Sequence, residues 1–271
     1  MAIKTSAKQK SKKETPLMQQ YYSIKVANDG LYRLDYSAMI GAGIPVTSFQ
    51  SENIQIFAKE REVPIYIIDG GDSNLDSGDY ILFYGEHNNG WLDSNLYVTP
   101  GTGASPRFSL YNDTLQFFFT WNSSTTNLRY TVESDTAYSS YAPANYILST
   151  CVSQYTNSYH NGEKSSNVSS SFFVPGEGWG AGKVNGVPGN VSQNLSASTT
   201  LPFSGAGAPT AKFELRSISS SDAATSLGGH NHHLRWRLGA SGIIALDTTF
   251  TGYQQVIVNR EIPATELVSG S

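Results

Sequence analysis

The sequence predicts an all-β protein: a jelly-roll-like β-sandwich preceded by a smaller β-rich N-terminal unit that contains one short helix. Three observations carry this prediction. Short runs alternate apolar and polar residues with the period of a strand, as in His232–Leu238, where Leu234, Trp236 and Leu238 share one face. Long connections rich in Gly, Ser, Thr and Asn separate these runs, and no stretch sustains a helical period. This combination is typical of sandwiches and jelly rolls.

Composition and charge narrow the class of partner. Hydrophobic residues make up 39% of the 271 residues, which excludes a disordered chain, whereas only 15% are charged. Without residues 1–14, 13 basic and 21 acidic residues remain, a net charge of −8. We expect no nucleic-acid partner, because phosphate contacts require a basic surface. We also expect no transmembrane segment, because no apolar run is long enough to span a bilayer.

We divide the chain into a leader at residues 1–20, a β-rich N-terminal unit at 21–137 and a jelly-roll-like β-sandwich at 138–271. The leader carries five lysines without a following apolar segment, so it is not a secretory signal, and we interpret it as disordered or artificially added. The composition is that of an extracellular β protein with long polar loops. A cytosolic location stays open if Met1 is native.

The elements of the N-terminal unit follow from alternation and turn chemistry. Asn28, Asp29 and Gly30 form a turn, Ser37 is a candidate helix N-cap, and Gly41 or Gly43 ends the helix. The expected order is strand Tyr21–Val26, strand 31–35, helix 37–43, strand 54–59, strands Ile65–Ile68 and 80–84, and strand Leu115–Trp121.

The second half is predicted as strands separated by long polar loops. The GEGWG sequence at 176–180 is expected to form a turn, because glycine permits positive φ. The expected strands are 146–153, 171–175, Ala211–Ile218, His232–Leu238, 242–250 and 253–258.

An acidic loop between Ile68 and Tyr80 is the candidate metal site. It contains the four carboxylates Asp69, Asp72, Asp76 and Asp79, interleaved with glycines. Closely spaced Asp and Asn oxygens on a flexible loop are ligands that Ca²⁺ accepts, so a structural calcium ion is one interpretation. The spacing does not fit an EF-hand, and a solvated acidic hairpin tip is the other interpretation.

Several short motifs resemble those of gingipain-type cysteine peptidases, and more closely the sortase-like peptidases of type IX secretion in Bacteroidetes. The matching segments are 31–33, 42–44, 54–57 and 79–85, with 119–122 and 176–179 fitting the same pattern, whereas Ala58 replaces the usual glycine. The resemblance implies a secreted or cell-surface protein whose peptidase domain lies downstream in the same polypeptide. It also implies that this region is not catalytic and assists folding, latency or positioning of that domain.

Two groups of residues could carry chemistry. Cys151, the single cysteine, and His160 could form a thiol–imidazole pair, although a buried cysteine beside a loop histidine is the plainer interpretation. The histidines His230, His232 and His233 suggest zinc, but no carboxylate lies near them in sequence, and a turn leading into a strand fits equally. We expect no catalytic residue in this chain.

Trp91 and Trp179 lie in Gly- and Asn-rich stretches and are the candidate ligand-binding residues. An exposed tryptophan ring can stack on a sugar, so a surface glycan is a possible partner; loop tryptophans also cap the ends of sandwiches. A carbohydrate-binding or adhesion module is therefore the alternative to a region that assists a peptidase, because fold does not fix function.

Overall fold

The protein is all-β, as the sequence predicts. The computed structural model describes residues 3–6 (backbone only), 19–163, 172–184, 194–195, 201–220 and 232–267. One α-helix and 14 strands occur in these described ranges. In the same ranges, no helix has both the length and the apolar character needed to cross a membrane.

The chain forms two compact units that are interleaved in sequence. The first comprises the described residues of Met1–Trp91 and Tyr111–Thr136, and the second those of Leu92–Leu110 and Ala137–Ser271. The chain therefore passes from one unit to the other three times. Residues 92–110 belong to the second unit although both of their neighbours in sequence belong to the first.

The first unit consists of two antiparallel sheets and one helix. Its elements are β1 (Ile3–Ser6), β2 (Tyr21–Val26), β3 (Gly30–Asp35), α1 (Tyr36–Gly41), β4 (Ile54–Ala58), β5 (Arg61–Val63), β6 (Ile65–Ile68), β7 (Tyr80–Gly85) and β8 (Leu115–Trp121). The five-stranded sheet has the order β1-β2-β8-β4-β5, and the three-stranded sheet has the order β3-β7-β6. A single parallel bridge between Ile65 and Arg129 extends the three-stranded sheet beyond β6.

The core of the first unit lies between these two sheets. Ile24, Ile56 and Phe119 of the five-stranded sheet and Leu34 and Phe83 of the three-stranded sheet are all fully buried in one cluster. Alternation along each strand places these residues on the inward faces. The first unit is thus a small two-sheet sandwich, and its rigidity follows from close packing of large side chains.

The second unit contains three two-stranded antiparallel sheets in its described residues. Their strands are β9 (Ser158–Asn161), β10 (Glu177–Gly180), β11 (Ala211–Ile218), β12 (His232–Leu238), β13 (Ile243–Phe250) and β14 (Gln255–Ile262). The pairs are β9 with β10, β11 with β14 and β12 with β13. The jelly-roll topology stays a prediction.

Residues 92–110 are bonded into the second unit by their backbone. The N–H of Val98 donates to the carbonyl of Phe173 over 2.8 Å, and the N–H of Phe173 donates to the carbonyl of Leu96 over 3.1 Å. The Tyr97 hydroxyl donates to the carbonyl of Glu177 at 2.6 Å. The Tyr97 ring, 5% exposed, lies 5.5 Å from the Phe173 ring. This segment is therefore a structural part of the second unit and not a loop on its surface.

Four local predictions are wrong. Ser37 lies inside α1, because the helix begins at Tyr36 after Asp35, whose side chain makes no capping hydrogen bond. Residues 146–153 are exposed and form no strand. The expected turn at 176–180 is instead strand β10, and residues 172–175 form only a single bridge at Phe173 and no strand. The last strand is confirmed in part, because it runs over Gln255–Ile262, two residues later at its start and four residues later at its end than 253–258.

Candidate functional site

The acidic loop is organised by hydrogen bonds from its own backbone and from Ser51. The Oδ1 atom of Asp69 accepts from the N–H of Gly71 at 3.1 Å, and its Oδ2 atom accepts a short hydrogen bond from the Ser51 hydroxyl. The Oδ1 atom of Asp72 accepts from the N–H of Asn74 at 2.9 Å. The bonds from the N–H groups of Gly71 and Asn74 are Asx-type bonds, in which a carboxylate substitutes for a backbone acceptor and closes a turn.

The second half of the acidic loop follows the same principle. The Oδ2 atom of Asp79 accepts from the N–H of Asp76 at 2.7 Å, and the carbonyl of Asp79 accepts from the N–H of Tyr36 at 3.0 Å. Leu75 anchors the loop in the core at 4% exposure. Within the part of the chain that the structure describes, no three His, Cys, Asp or Glu side chains converge as metal ligands. A calcium ion at this loop stays a prediction.

The two candidate tryptophans have different surroundings. Trp91 is partly buried against the core of the first unit. Trp179, on β10, is 41% exposed, and its ring meets that of Tyr159 edge to face at 5.3 Å. Trp179 also lines an open cleft of the second unit, together with the stacked rings of Tyr146 and Phe203. Of the two candidate tryptophans, Trp179 is therefore the one that presents its ring next to open space.

The structure does not show Cys151 as a buried cysteine or His160 as a loop histidine. Cys151 is exposed and not a buried hydrophobic residue, because the segment that contains it forms no strand. His160 lies on strand β9 and not in a loop, and only 9% of it is exposed. Its Nε2 atom lies 2.9 Å from the carbonyl oxygen of Ala181, and its Nδ1 atom has no partner among the described residues. Neither ring nitrogen is hydrogen-bonded to the Cys151 thiol.

Two of the three histidines lie within the described residues. His230 lies outside the described residues, whereas His232 stacks on Phe250 with ring centroids 5.0 Å apart. His233 contacts Asp247, with 2.6 Å between Nε2 and Oδ1. Asp247 also accepts from the guanidinium of Arg235, and the hydrogen bonds from His233 and Arg235 lower the pKa of Asp247. The sequence did not indicate this carboxylate, because it comes from the neighbouring strand across the β12–β13 pair.

Most segments that resemble gingipain-type peptidases lie in the first unit, namely 31–33, 42–44, 54–57, 79–85 and 119–122, whereas 176–179 lies in the second unit at strand β10. Ile44, Ile54, Ile56, Ile81 and Phe83 are buried at 2% exposure or less. The glycine-rich and alternating motifs therefore build a sandwich core between the two sheets. The outward-pointing residues of segments 31–33 and 79–85 lie on one face of the three-stranded sheet.

That face is apolar where a solvated sheet face is normally polar. Register places Leu31 opposite Tyr84, and Leu82 between Arg33 and Tyr66. Leu31 is 66% exposed and Tyr84 is 48% exposed. The remaining members from the same sheet are Asp35, Tyr80 and Ile68. We call this set, together with Leu128 and Tyr130 described next, the tyrosine face.

The bridge beyond β6 widens the tyrosine face by one short strand. Arg129 is paired with Ile65, whose side chain is in the core, and its guanidinium donates to the carbonyl of Glu52 at 2.8 Å. Residues alternate across an extended segment, so Leu128 and Tyr130 point to the opposite, outward side. They are 48% and 39% exposed. Sequence reasoning missed this surface, although the nearly continuous apolar runs 65–68 and 80–84 signal strands that are apolar on both faces.

The only charged pair on the tyrosine face is internally compensated. The Nε atom of Arg33 lies 2.6 Å from Oδ1 of Asp35, and the guanidinium carbon lies 3.8 Å from the centroid of the Tyr80 ring. A cation over an aromatic ring is held in place by the ring quadrupole. The face thus combines aliphatic groups, tyrosine rings and one neutral ion pair.

Comparison of the chain with protein families, with curated proteins and with solved structures found no match.

Proposed function

We propose that the chain is the non-catalytic N-terminal region of a secreted gingipain-like cysteine peptidase and assists the folding, latency or positioning of a downstream peptidase domain. The observation that carries this proposal is the arrangement of the resembling segments. In the first unit their inward residues form the sandwich core, and the outward residues of segments 31–33 and 79–85 contribute to an exposed apolar surface. A rigid scaffold with one apolar face has the properties needed to hold another domain.

The physical role would be domain docking. Burial of apolar side chains removes them from water, at roughly 25 cal/mol per Å² of apolar surface. A peptidase domain held in this way is restrained relative to the scaffold, and access to its cleft then depends on how it docks. In this proposal the scaffold supplies no reacting group, and the nucleophile and base belong to the downstream domain.

The test compares the full-length polypeptide with one that lacks residues 1–271. We expect the truncated peptidase to give less soluble, folded protein, because the surface that docks on the scaffold is then exposed to water. The isolated chain of residues 1–271 and its Cys151→Ser variant serve as matched controls for activity. Peptide cleavage by the isolated chain that disappears in Cys151→Ser would contradict the proposal, as would a gene without a peptidase domain after Ser271.

The alternative is a cell-surface carbohydrate-binding or adhesion module, and one observation favours it. Trp179, Tyr146 and Phe203 line an open cleft in the second unit, and exposed aromatic rings stack on sugars. A glycan-binding screen with Trp179→Ala distinguishes the two proposals. Trp91→Ala is the matched control, because the Trp91 ring packs against the core of the first unit. Glycan binding that is lost only in Trp179→Ala would favour the adhesion module.

A further inference from the structure

We propose that the tyrosine face is the docking surface for the downstream domain of the same polypeptide, and that it takes an apolar protein surface with a basic margin. This inference rests on the proposed function. It adds which face of the chain docks, what chemistry the partner surface has, and why the partner belongs to the same polypeptide. Its evidence is the composition, charge and size of the face.

Composition distinguishes this face from the other outer face of the same sandwich. The opposite side of the five-stranded sheet carries Ser23, Lys25, Gln55, Gln116 and Thr120 beside the paired Phe57 and Phe118, with polar contacts such as Gln55 to Glu62 at 3.0 Å. Ser23, Gln55 and Thr120 are buried there, at 6%, 9% and 0% exposure. The tyrosine face has only Arg33 and Asp35 as charged members, and they neutralise each other. Tyrosine is enriched at protein interfaces because it offers a large rigid ring and a hydroxyl group. The two outer faces of this sandwich therefore differ in composition and in exposure.

The acidic residues around the tyrosine face predict basic residues at the edge of the partner's docking surface. Within residues 19–91 and 111–136, five basic residues are outnumbered by 13 acidic ones. Acidic residues flank two strands of the face directly, since Asp29 precedes β3 and Asp69 follows β6, whereas Glu86, which follows β7, is paired with Lys59. An apolar centre within an acidic rim is complementary to an apolar patch bordered by Lys and Arg, since complementary potentials guide association and suppress wrong partners.

Size argues for a tethered partner over a second copy of the chain. Strands about 4.8 Å apart, each with up to three outward residues about 6.8 Å apart, give a footprint on the order of 300–400 Å². Two copies packed face to face would bury roughly 600–800 Å² in total, below the about 1,200 Å² at which specific interfaces begin. A domain in the same polypeptide needs less area, because its effective concentration reaches the millimolar range with a short linker.

The experiment is tyrosine footprinting by mass spectrometry on the isolated chain and on the full-length polypeptide. We expect Tyr84 and Tyr130 to react in the isolated chain and to react several-fold more slowly in the full-length polypeptide. Tyr111 is the internal control, because it is 67% exposed in the same unit and lies outside the face. A double variant, Leu31→Thr with Tyr84→Thr, should restore the reactivity of Tyr130 in the full-length polypeptide.

The matched control variant is Ile244→Thr with Ile257→Thr, two exposed strand residues of the second unit, which should leave the Tyr130 protection unchanged. Equal reactivity of Tyr84 in both proteins overturns this inference but leaves the proposed function with another docking surface. A full-length polypeptide without a downstream domain overturns both. Protection in the isolated chain that depends on its own concentration, or on an added oligosaccharide, would assign the face to a second copy or to a glycan and would overturn the tethered assignment.

Discussion

Asp29 and His87 form a two-point contact in the first unit. The backbone N–H of His87 donates to Oδ1 of Asp29 at 2.8 Å, and the Nδ1 atom of its ring lies 2.7 Å from the same oxygen. These contacts lower the pKa of Asp29, with the backbone hydrogen bond as the largest cause and the ring contact next. Both favour the ionised carboxylate over the neutral acid.

The depressed pKa of Asp29 has a definite consequence for stability against pH. Because the folded-state pKa is lower than the unfolded value of about 3.9, protonation favours the unfolded chain. The stabilisation is therefore complete above the unfolded pKa, and it is lost as the pH falls through the folded pKa. Acid unfolding should thus draw part of its proton uptake from this residue.

In His87→Ala we expect the pKa of Asp29 to rise but to stay below its ordinary value. The variant removes the ring contact and keeps the backbone N–H, which is the larger cause of the shift. An NMR titration of the side-chain carboxyl carbon measures both values. The interpretation fails if Asp29 titrates at its ordinary value in the wild-type chain, or if the variant leaves its pKa unchanged.

The turn between β4 and β5 shows how a local element can depart from expected turn chemistry. Lys59 and Glu60 both have positive φ, at 49° and 61°, although neither is a glycine or an asparagine. The left-handed region costs an ordinary residue roughly 1–2 kcal/mol. Lys59 has a compensating contact, because its ammonium lies 2.6 Å from a carboxylate oxygen of Glu86. At Glu60, a substitution that relieves the strained backbone should increase the stability of the protein.

Glu60→Gly should stabilise the protein by about 0.5–1 kcal/mol, because glycine reaches positive φ without steric cost and loses only part of that gain in backbone entropy. Denaturant unfolding measures the difference. Gly43→Ala is the matched control: Gly43 also has positive φ, at 74°, and a Cβ there meets open space, so the variant isolates the backbone cost. We expect Gly43→Ala to destabilise by about 1 kcal/mol. A destabilised Glu60→Gly would contradict this reasoning.

Strands were predictable where a core enforces alternation. Tyr21–Val26 and Leu115–Trp121 match the structure, because their inward residues pack between two sheets. Residues 146–153 alternate equally well but form no strand, since a pattern does not provide a partner for backbone hydrogen bonds. The reverse holds for Glu177–Gly180, where pairing with Ser158–Asn161 overrides the glycine-rich turn signal.

The candidate site was predictable only in its local parts. The turn chemistry of the acidic loop follows from Asp69 and Asp72, whose carboxylates bond backbone two residues further along the chain. The tyrosine face required the register of three strands and the bridge at Arg129, which join segments far apart in sequence. Asp247 was missed for the same reason. Non-local pairing is the information that a single sequence carries least.

At the scale of the whole molecule, an exposed stretch separates residues 92–110 in sequence from the rest of the second unit. Residues 137–153 are exposed apart from Tyr138, whose side chain is not described, and Ile147 and Leu148 are 86% and 82% exposed. Exposed segments of this kind are the preferred sites of proteolytic nicking. A cut there would divide the chain into an N-terminal fragment, which still contains residues 92–110, and a C-terminal fragment.

We expect the two fragments to elute together in size-exclusion chromatography after limited chymotrypsin treatment, and to separate only in denaturant. Tyr97→Ala should weaken this association, because it removes both the hydroxyl bond to Glu177 and the ring contact with Phe173. Tyr111→Ala, at an exposed position, is the control. Separation of the wild-type fragments under native conditions would contradict the expectation.

Residues 92–110 of the N-terminal fragment therefore hold it to the C-terminal fragment after a cut, because they are bonded into the second unit. A protease that nicks the exposed stretch would change the number of polypeptides without changing the assembly. Release of either half would require unfolding of the second unit itself, so the lifetime of the nicked protein would be set by the opening of that unit and not by the cut.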